Sequence, residues 1–227
     1  MGKLIDFLTG TKILEEVESP INGKISVVKS LAFGIYVQVD GLTQSGGIIY
    51  QIWKKTLKKI QNPKPKIQKC LILGLGGGSV ANVVGEFWPE AKITGVDLDP
   101  IMVEMGKKYL GLDNYNIDVV IGDAYDFVRK SQKEQKLRLR RQNPKFKYDL
   151  ILVDLYIGEE FPTRFESEKF LRSVERLLSK SGVAVFNRLY YGEKRKEAMK
   201  FGQKLEKIFP HLEYFYPEAN VMFICNT

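Results

Sequence analysis

The sequence predicts an α/β fold: a mainly parallel sheet of seven strands, with helices on both faces, preceded by a small β domain. Three observations predict it. From Ile67 onward, strand-like and helix-like runs alternate, as a parallel sheet with crossover helices requires. Within that alternation, Lys69 to Val80 (KCLILGLGGGSV) reads as a buried strand, a glycine turn and the start of a helix. Residues Lys12 to Gln44 instead carry short alternating strands separated by turn residues, the mark of antiparallel pairing. With 227 residues, 44% of them hydrophobic, the chain can bury a core of that size.

In chain order, Ser19-Pro20-Ile21-Asn22-Gly23-Lys24 contains Asn-Gly, a strong hairpin signal, between strand-like runs. Ile25 to Lys29 and Ile35 to Val39 alternate as strands, and Asp40-Gly41 turns the chain again. Ile48 to Ile60 has helical spacing, with Ile49, Ile52, Trp53, Leu57 and Ile60 on one face and lysines largely opposite. Asn62-Pro63-Lys64-Pro65 ends this helix. The expected division is therefore a small β domain with its linking helix over 1–62 and a ligand-binding α/β domain over 63–227.

The α/β part starts with the strand Cys70 to Leu73 and a helix over Ser79 to Phe87. A second strand, Ile93 to Val96, leads into Asp97, and a helix over Pro100 to Leu110 starts on proline and stops at Gly111. A strand at Asp118 to Ile121 precedes a helix over 124–130, and a fourth strand spans Tyr148 to Val153. Next come a helix over Ser167 to Leu178, a strand over Val183 to Phe186 and a helix over Glu193 to Phe209, closed by Pro210. His211 to Tyr216 and Val221 to Cys225 complete the seven strands as a terminal hairpin.

Gly74, Gly76, Gly77 and Gly78, followed by Ser79 at the helix start, let the backbone pass close to a nucleotide-like ligand. Asp97, with Leu98 beside it, lies about twenty residues on, where a carboxylate takes both hydroxyls of a ribose. Dinucleotides and S-adenosylmethionine both suit this layout. Carboxylates at successive strand ends favour the second, because they attract a sulfonium and repel a diphosphate. Asp123 with Ala124 is assigned to the adenine edge, and Asp154 to the acceptor, where it would orient an attacking amine and accept its proton. The structural alternatives are capping roles for Asp97 and Asp123 and a turn role for Asp154. Asp99, directly before Pro100, is read as a helix cap.

Taken in order, Val39-Asp40-Gly41-Leu42-Thr43-Gln44-Ser45, Tyr50-Gln51, LILGLGGGS, VDLDP, GDAYDFV, YDLILVDLY and GVAVFN resemble the spermidine synthase family, and more closely its methyltransferase-like relatives. The resemblance covers about Leu14 to Asn187. It implies a Rossmann-like class I S-adenosylmethionine methyltransferase sheet with an antiparallel terminal hairpin. It also implies S-adenosylmethionine or its decarboxylated form as cofactor, and β-domain oligomer contacts, here a homodimer. By the same resemblance Gln44 is a cofactor contact and Tyr50 and Gln51 are substrate contacts, while Tyr156 and Tyr190 are candidate pocket walls. Where the family's polyamine synthases carry further acids, this chain has Gly77 and Ile157, and the segment Ser45 to Ile49 is uncharged. The reading is therefore a methyltransferase with an unidentified acceptor. A polyamine aminopropyltransferase is second, and a non-catalytic nucleoside- or RNA-binding module third.

The net charge of +8 traces to Arg129 to Lys147, which holds nine basic residues against one Glu. Such a segment attracts nucleic acid weakly through phosphates, although a solvated loop is the simpler expectation. Cys70 and Cys225 lie in apolar runs and read as buried thiols in a reducing compartment. No metal-ligand spacing, signal peptide or membrane-length apolar run is visible, so a cytoplasmic protein without metal or membrane contact is expected. His211 is read as inert.

Overall fold

The computed structural model describes residues 10–61, 66–140 and 147–227. Strands β1 (Thr11–Ser19), β2 (Gly23–Ser30), β3 (Gly34–Val39) and β4 (Leu42–Gly46) form an antiparallel sheet in sequential order. Asp40 and Gly41 both take left-handed φ values, +48° and +81°, as a two-residue hairpin with matching twist demands. This sheet packs Ile25, Val27, Val37 and Val39 on Met102 and Met105 of helix α3 (Pro100–Leu110).

Helix α1 (Gly47–Ile60) buries Ile52, Trp53, Thr56 and Leu57. Its apolar face lies against α2 (Ser79–Phe87) and joins the core of the second, larger sheet. The expected division after residue 62 falls on residues 62–65, outside those described.

The larger sheet has the order β10-β11-β9-β8-β5-β6-β7. Its strands are β5 (Lys69–Leu73), β6 (Lys92–Asp97), β7 (Ile117–Ile121), β8 (Tyr148–Val153), β9 (Leu178–Leu189), β10 (His211–Phe215) and β11 (Asn220–Asn226). The first five pair in parallel, and β11 and β10 close the edge antiparallel, as expected. Alternation fills both faces: Cys70, Ile72, Leu150 and Leu152 enter one core, and Leu71, Leu73, Ile151 and Val153 the other. The chain leaves β5 toward β6 and β7, then returns to place β8 on the other side of β5. Their carboxyl ends therefore open a crevice at the reversal of strand order. Both cysteines are buried free thiols, and burial pushes each upward in pKa.

Asp99 caps α3 by accepting from Ile101 N and Met102 N, and Gly111 ends that helix at φ +69°. Helix α4 (Ala124–Arg140) corrects the expected end at 130. Most of the basic stretch is helix, because Lys, Gln, Glu, Leu and Arg all extend a helix well and the next breaker is Asn143-Pro144. Residues 141–146 lie outside the description. Helix α5 (Glu168–Leu177) starts on the Ser167 cap, and β9 follows directly because Leu178 already pairs with Tyr148. Helix α6 (Lys194–Glu206) is shorter at both ends than the spacing predicts. Among the described residues, no helix is long and apolar enough to cross a membrane.

The exit of β5 is sterically closed to a side chain. Gly74 has φ +87°, and a Cβ there would stand 2.1 Å from the backbone oxygen of Asp154. Gly122 has open space. Gly74→Ala is expected to cost about 3 kcal/mol or more, through strain and displaced backbone, with Gly122→Ala near neutral. Urea unfolding of the two variants checks this, and equal midpoints would refute it.

Candidate active site

A cavity of about 430 Å³ opens over the carboxyl ends of the central strands. Its floor is the glycine turn and the acids after β6, β7 and β8. Its walls are the β1–β2 turn, β4, the first turns of α1 and the segment after β8.

Gly74, Gly76 and Gly78 all take positive φ, which turns the chain sharply out of β5 and into α2. Gly74, Gly76 and Ser79 line the cavity, and Gly77 and Gly78 do not. A Cβ on Gly78 would strike Leu112, and one on Gly77 would meet Leu110 and Ser45. Ser79, in place of a third glycine, fastens the β4–α1 corner. Its hydroxyl accepts from Gly46 N, lies 2.8 Å from the Ser45 hydroxyl, and its own N–H donates to Ser45 Oγ.

Asp97 is held by two backbone donors, Gly76 N on Oδ2 at 2.6 Å and Asp99 N on Oδ1 at 2.9 Å. Burial nevertheless raises its pKa. Leu98 lies beside it in the lining. Asp123 and Ala124 also line the cavity, but the Asp123 carboxylate is engaged. It accepts from Asp126 N at the start of α4 and pairs with Arg164 at 2.5 Å. Gln44 reaches the cavity and donates to Gly158 O at 3.5 Å. Tyr156 lies in the wall, with its hydroxyl accepting from Leu189 N.

Asp154 sits at the end of β8 and takes Trp53 Nε1 on Oδ2 and Asn187 Nδ2 on Oδ1, each at 2.8 Å. Burial raises its pKa, and the two donors act against that rise. Tyr50 and Gln51, expected as substrate contacts, are not in this cavity. Tyr50 lies on the outer side of α1, bonded to Glu86 and Lys54, and Gln51 is exposed. The cause is helical phase: turning Ile48, Ile49 and Ile52 to the cavity turns Tyr50 and Gln51 away from it.

Trp53, Asn187 and Arg164 were not singled out by the sequence. Trp53 carried one usable signal, since an indole on a buried helix face needs an acceptor for its N–H. Asn187 carried another, as a polar residue closing the apolar run VAVF. Arg164 carried none. Among the described residues, no group of three or more His, Cys, Asp or Glu is arranged to hold a metal. The lining holds six carboxylates, Asp97, Asp99, Asp123, Asp154, Glu159 and Glu218, against one cation, Arg164.

The profile described as the spermine/spermidine synthase domain matches residues 50–220. A polyamine aminopropyltransferase of Vibrio vulnificus (strain CMCP6) is 36% identical over 127 residues, 56% of this chain and 38% of that protein. An eEF1A lysine and N-terminal methyltransferase homolog of Drosophila melanogaster is 31% identical over 160 residues, 66% of this chain and 22% of that protein. The chain thus spans well under half the length of either relative. The fold is shared with spermidine synthase from Thermotoga maritima, with a TM-score of 0.72 at 18% identity over 95% of this chain and 72% of that one. It is also shared with human methyltransferase-like protein 13 in complex with SAH, with a TM-score of 0.60 at 23% identity over 78% and 79% of the two chains.

The raised carboxyls set a pH dependence. An acid whose folded pKa exceeds its unfolded one stabilises the fold while protonated. That stability is complete below the unfolded value, near 4, and is lost as pH rises through the raised folded value. Asp154→Asn removes one such titration. The fall of unfolding free energy with pH above about 4 is expected to become shallower, by up to about 1.4 kcal/mol per pH unit where wild type alone titrates. Urea melts across pH 4 to 7.5 measure the slope, and parallel slopes would refute the assignment.

Proposed function

Since this chain belongs to the spermine/spermidine synthase family, we propose that it is an S-adenosylmethionine-dependent methyltransferase acting on an amine. The observation that carries this reading is the charge of the cavity. A chain of net charge +8 lines this cavity with six carboxylates. Asp123 pairs with Arg164, Glu218 with Lys55, and Asp99 is taken up by Ser19 and Asn22, while Asp97, Asp154 and Glu159 have no cation partner among the described residues of the lining. That arrangement favours a positive sulfur and a basic acceptor and opposes a diphosphate.

In this reading Asp97 holds the ribose hydroxyls, while Asp123 and Ala124 lie along the adenine. Each Asp97 oxygen accepts one backbone N–H, which leaves acceptor capacity for a ligand hydroxyl. The cofactor, when bound, supplies a carbon activated by its positive sulfur. Asp154 orients the acceptor nitrogen and takes its proton as the new nitrogen–carbon bond replaces the carbon–sulfur bond. Ile48, Ile49 and Ile52 give the same cavity an apolar wall, which suits an amine carried on an aliphatic arm. The methyltransferase name of the Drosophila relative agrees with that acceptor class.

Methyl transfer is preferred over aminopropyl transfer because the positions of further polyamine-holding acids are Gly77 and Ile157. A Cβ at 77 would point at Leu110 and Ser45, so the turn offers no carboxylate there. Aminopropyl transfer from decarboxylated S-adenosylmethionine is the second reading, favoured by the 36% identity to the Vibrio enzyme.

Asp97→Ala is expected to weaken S-adenosylhomocysteine binding at least tenfold, about 1.4 kcal/mol, by calorimetry. Equal affinities would remove Asp97 from the site. Asp154→Asn is expected to abolish methyl transfer to amine-bearing acceptors while leaving cofactor affinity within a few-fold. Putrescine with decarboxylated S-adenosylmethionine should yield no spermidine. Turnover of about one per second or more would establish the second reading instead.

A further inference from the structure

We infer that Trp53 is a positioning residue for Asp154: its indole N–H, delivered from α1, fixes the carboxylate's orientation and supports its charged form. The inference rests on the reading that Asp154 acts on the acceptor. Trp53 is completely buried. An indole in such surroundings must spend its N–H on an internal acceptor, and that acceptor is Asp154 Oδ2 at 2.8 Å.

The second oxygen is fixed as firmly. Asn187 donates to it through Nδ2, and Asn187 Oδ1 is itself taken by Asn220 Nδ2 at 2.7 Å. With its carbonyl occupied, the Asn187 amide presents its NH₂ to Asp154. Three elements, α1, β9 and β11, therefore converge on one carboxylate from β8.

The donors are neutral, and that has a chemical meaning. Asp123, paired with Arg164, has its charge met by a cation. Trp53 and Asn187 leave the Asp154 charge uncancelled while still offsetting its desolvation, so the group keeps its attraction for an amine and its capacity for a proton. An indole N–H only donates, so Trp53 cannot compete for that proton. The nearby cations are engaged elsewhere: Arg164 with Asp123, Arg188 with Glu166 and Lys55 with Glu218. Tyr156 adjoins it in the wall, with Asp97, Glu159 and Glu218 on the rest of the lining. Burial opposes its ionisation, and the neutral donors Trp53 and Asn187 support it.

The test replaces Trp53 with 3-benzothienylalanine, which keeps the ring shape and removes the N–H, and in parallel with Trp53→Phe. Carbon-13 NMR of labelled aspartate, with Asp154 assigned through Asp154→Asn, follows the carboxyl titration in the full chain. The midpoint is expected to move up by about one pH unit, a tenfold shift toward the protonated form. An unmoved midpoint in the folded variants overturns the inference. The acid limb of the transfer rate should move up with it, at unchanged affinity for S-adenosylhomocysteine. A uniform loss of rate with the limb in place means that Trp53 only packs, and also overturns it. The titration needs no acceptor, so it stands apart from the functional reading: Asp154→Asn with full transfer activity would sink that reading whatever the NMR shows.

Discussion

The closeness of Gly74 to the Asp154 carbonyl is the constraint from which the site follows. The carbonyl of Asp154, the first residue after β8, occupies the space that a side chain on Gly74, the first residue after β5, would need. Asp154 N donates to Leu73 O at 2.8 Å, so the two strand ends leave the sheet together. One chain then bends into the glycine turn and the other into the cavity wall. A side chain at 74 would push apart the ligand-side backbone and the acid opposite it. The spacing between the two halves of the site is thus set by backbone, which varies less than side chains do.

A second fixed point joins the two sheets. Asp99 is fully buried and accepts from Ser19 Oγ at 2.5 Å, Asn22 Nδ2 at 2.6 Å, and the amides of Ile101 and Met102. A carboxylate without those donors would be costly to bury, and with them it binds the β1–β2 turn to the start of α3. That turn brings Ile21 and Asn22 to the cavity. The small sheet, too thin to stand alone, is therefore one wall of the site and not an appendage.

Much of this was legible because it is local. The glycine turn, the capping aspartate before Pro100, the Asp40-Gly41 hairpin and the terminal hairpin each depend on residues within a few positions of one another. Sequence reading failed where the determinant was distant or a matter of phase. Tyr50 and Gln51 sit on α1, but its phase turns them away from the cavity. The basic stretch reads as a loop by charge, yet its residues are helix formers, and Ser131 is buried within it. Arg164 finds Asp123 from 41 positions away, and Trp53 finds Asp154 from 101. No periodicity within one segment encodes such pairs.

The buried, raised carboxyls of Asp97 and Asp154 would couple the binding of any positive ligand in the cavity to the release of protons. A positive ligand favours the ionised form of each acid it approaches, so binding in the pH range where they are partly protonated must expel protons into solvent. Linkage then requires affinity for that ligand to rise with pH until both acids are ionised without it. Buffers of different ionisation enthalpy would give different apparent heats for the same binding event, and the difference would count the protons released.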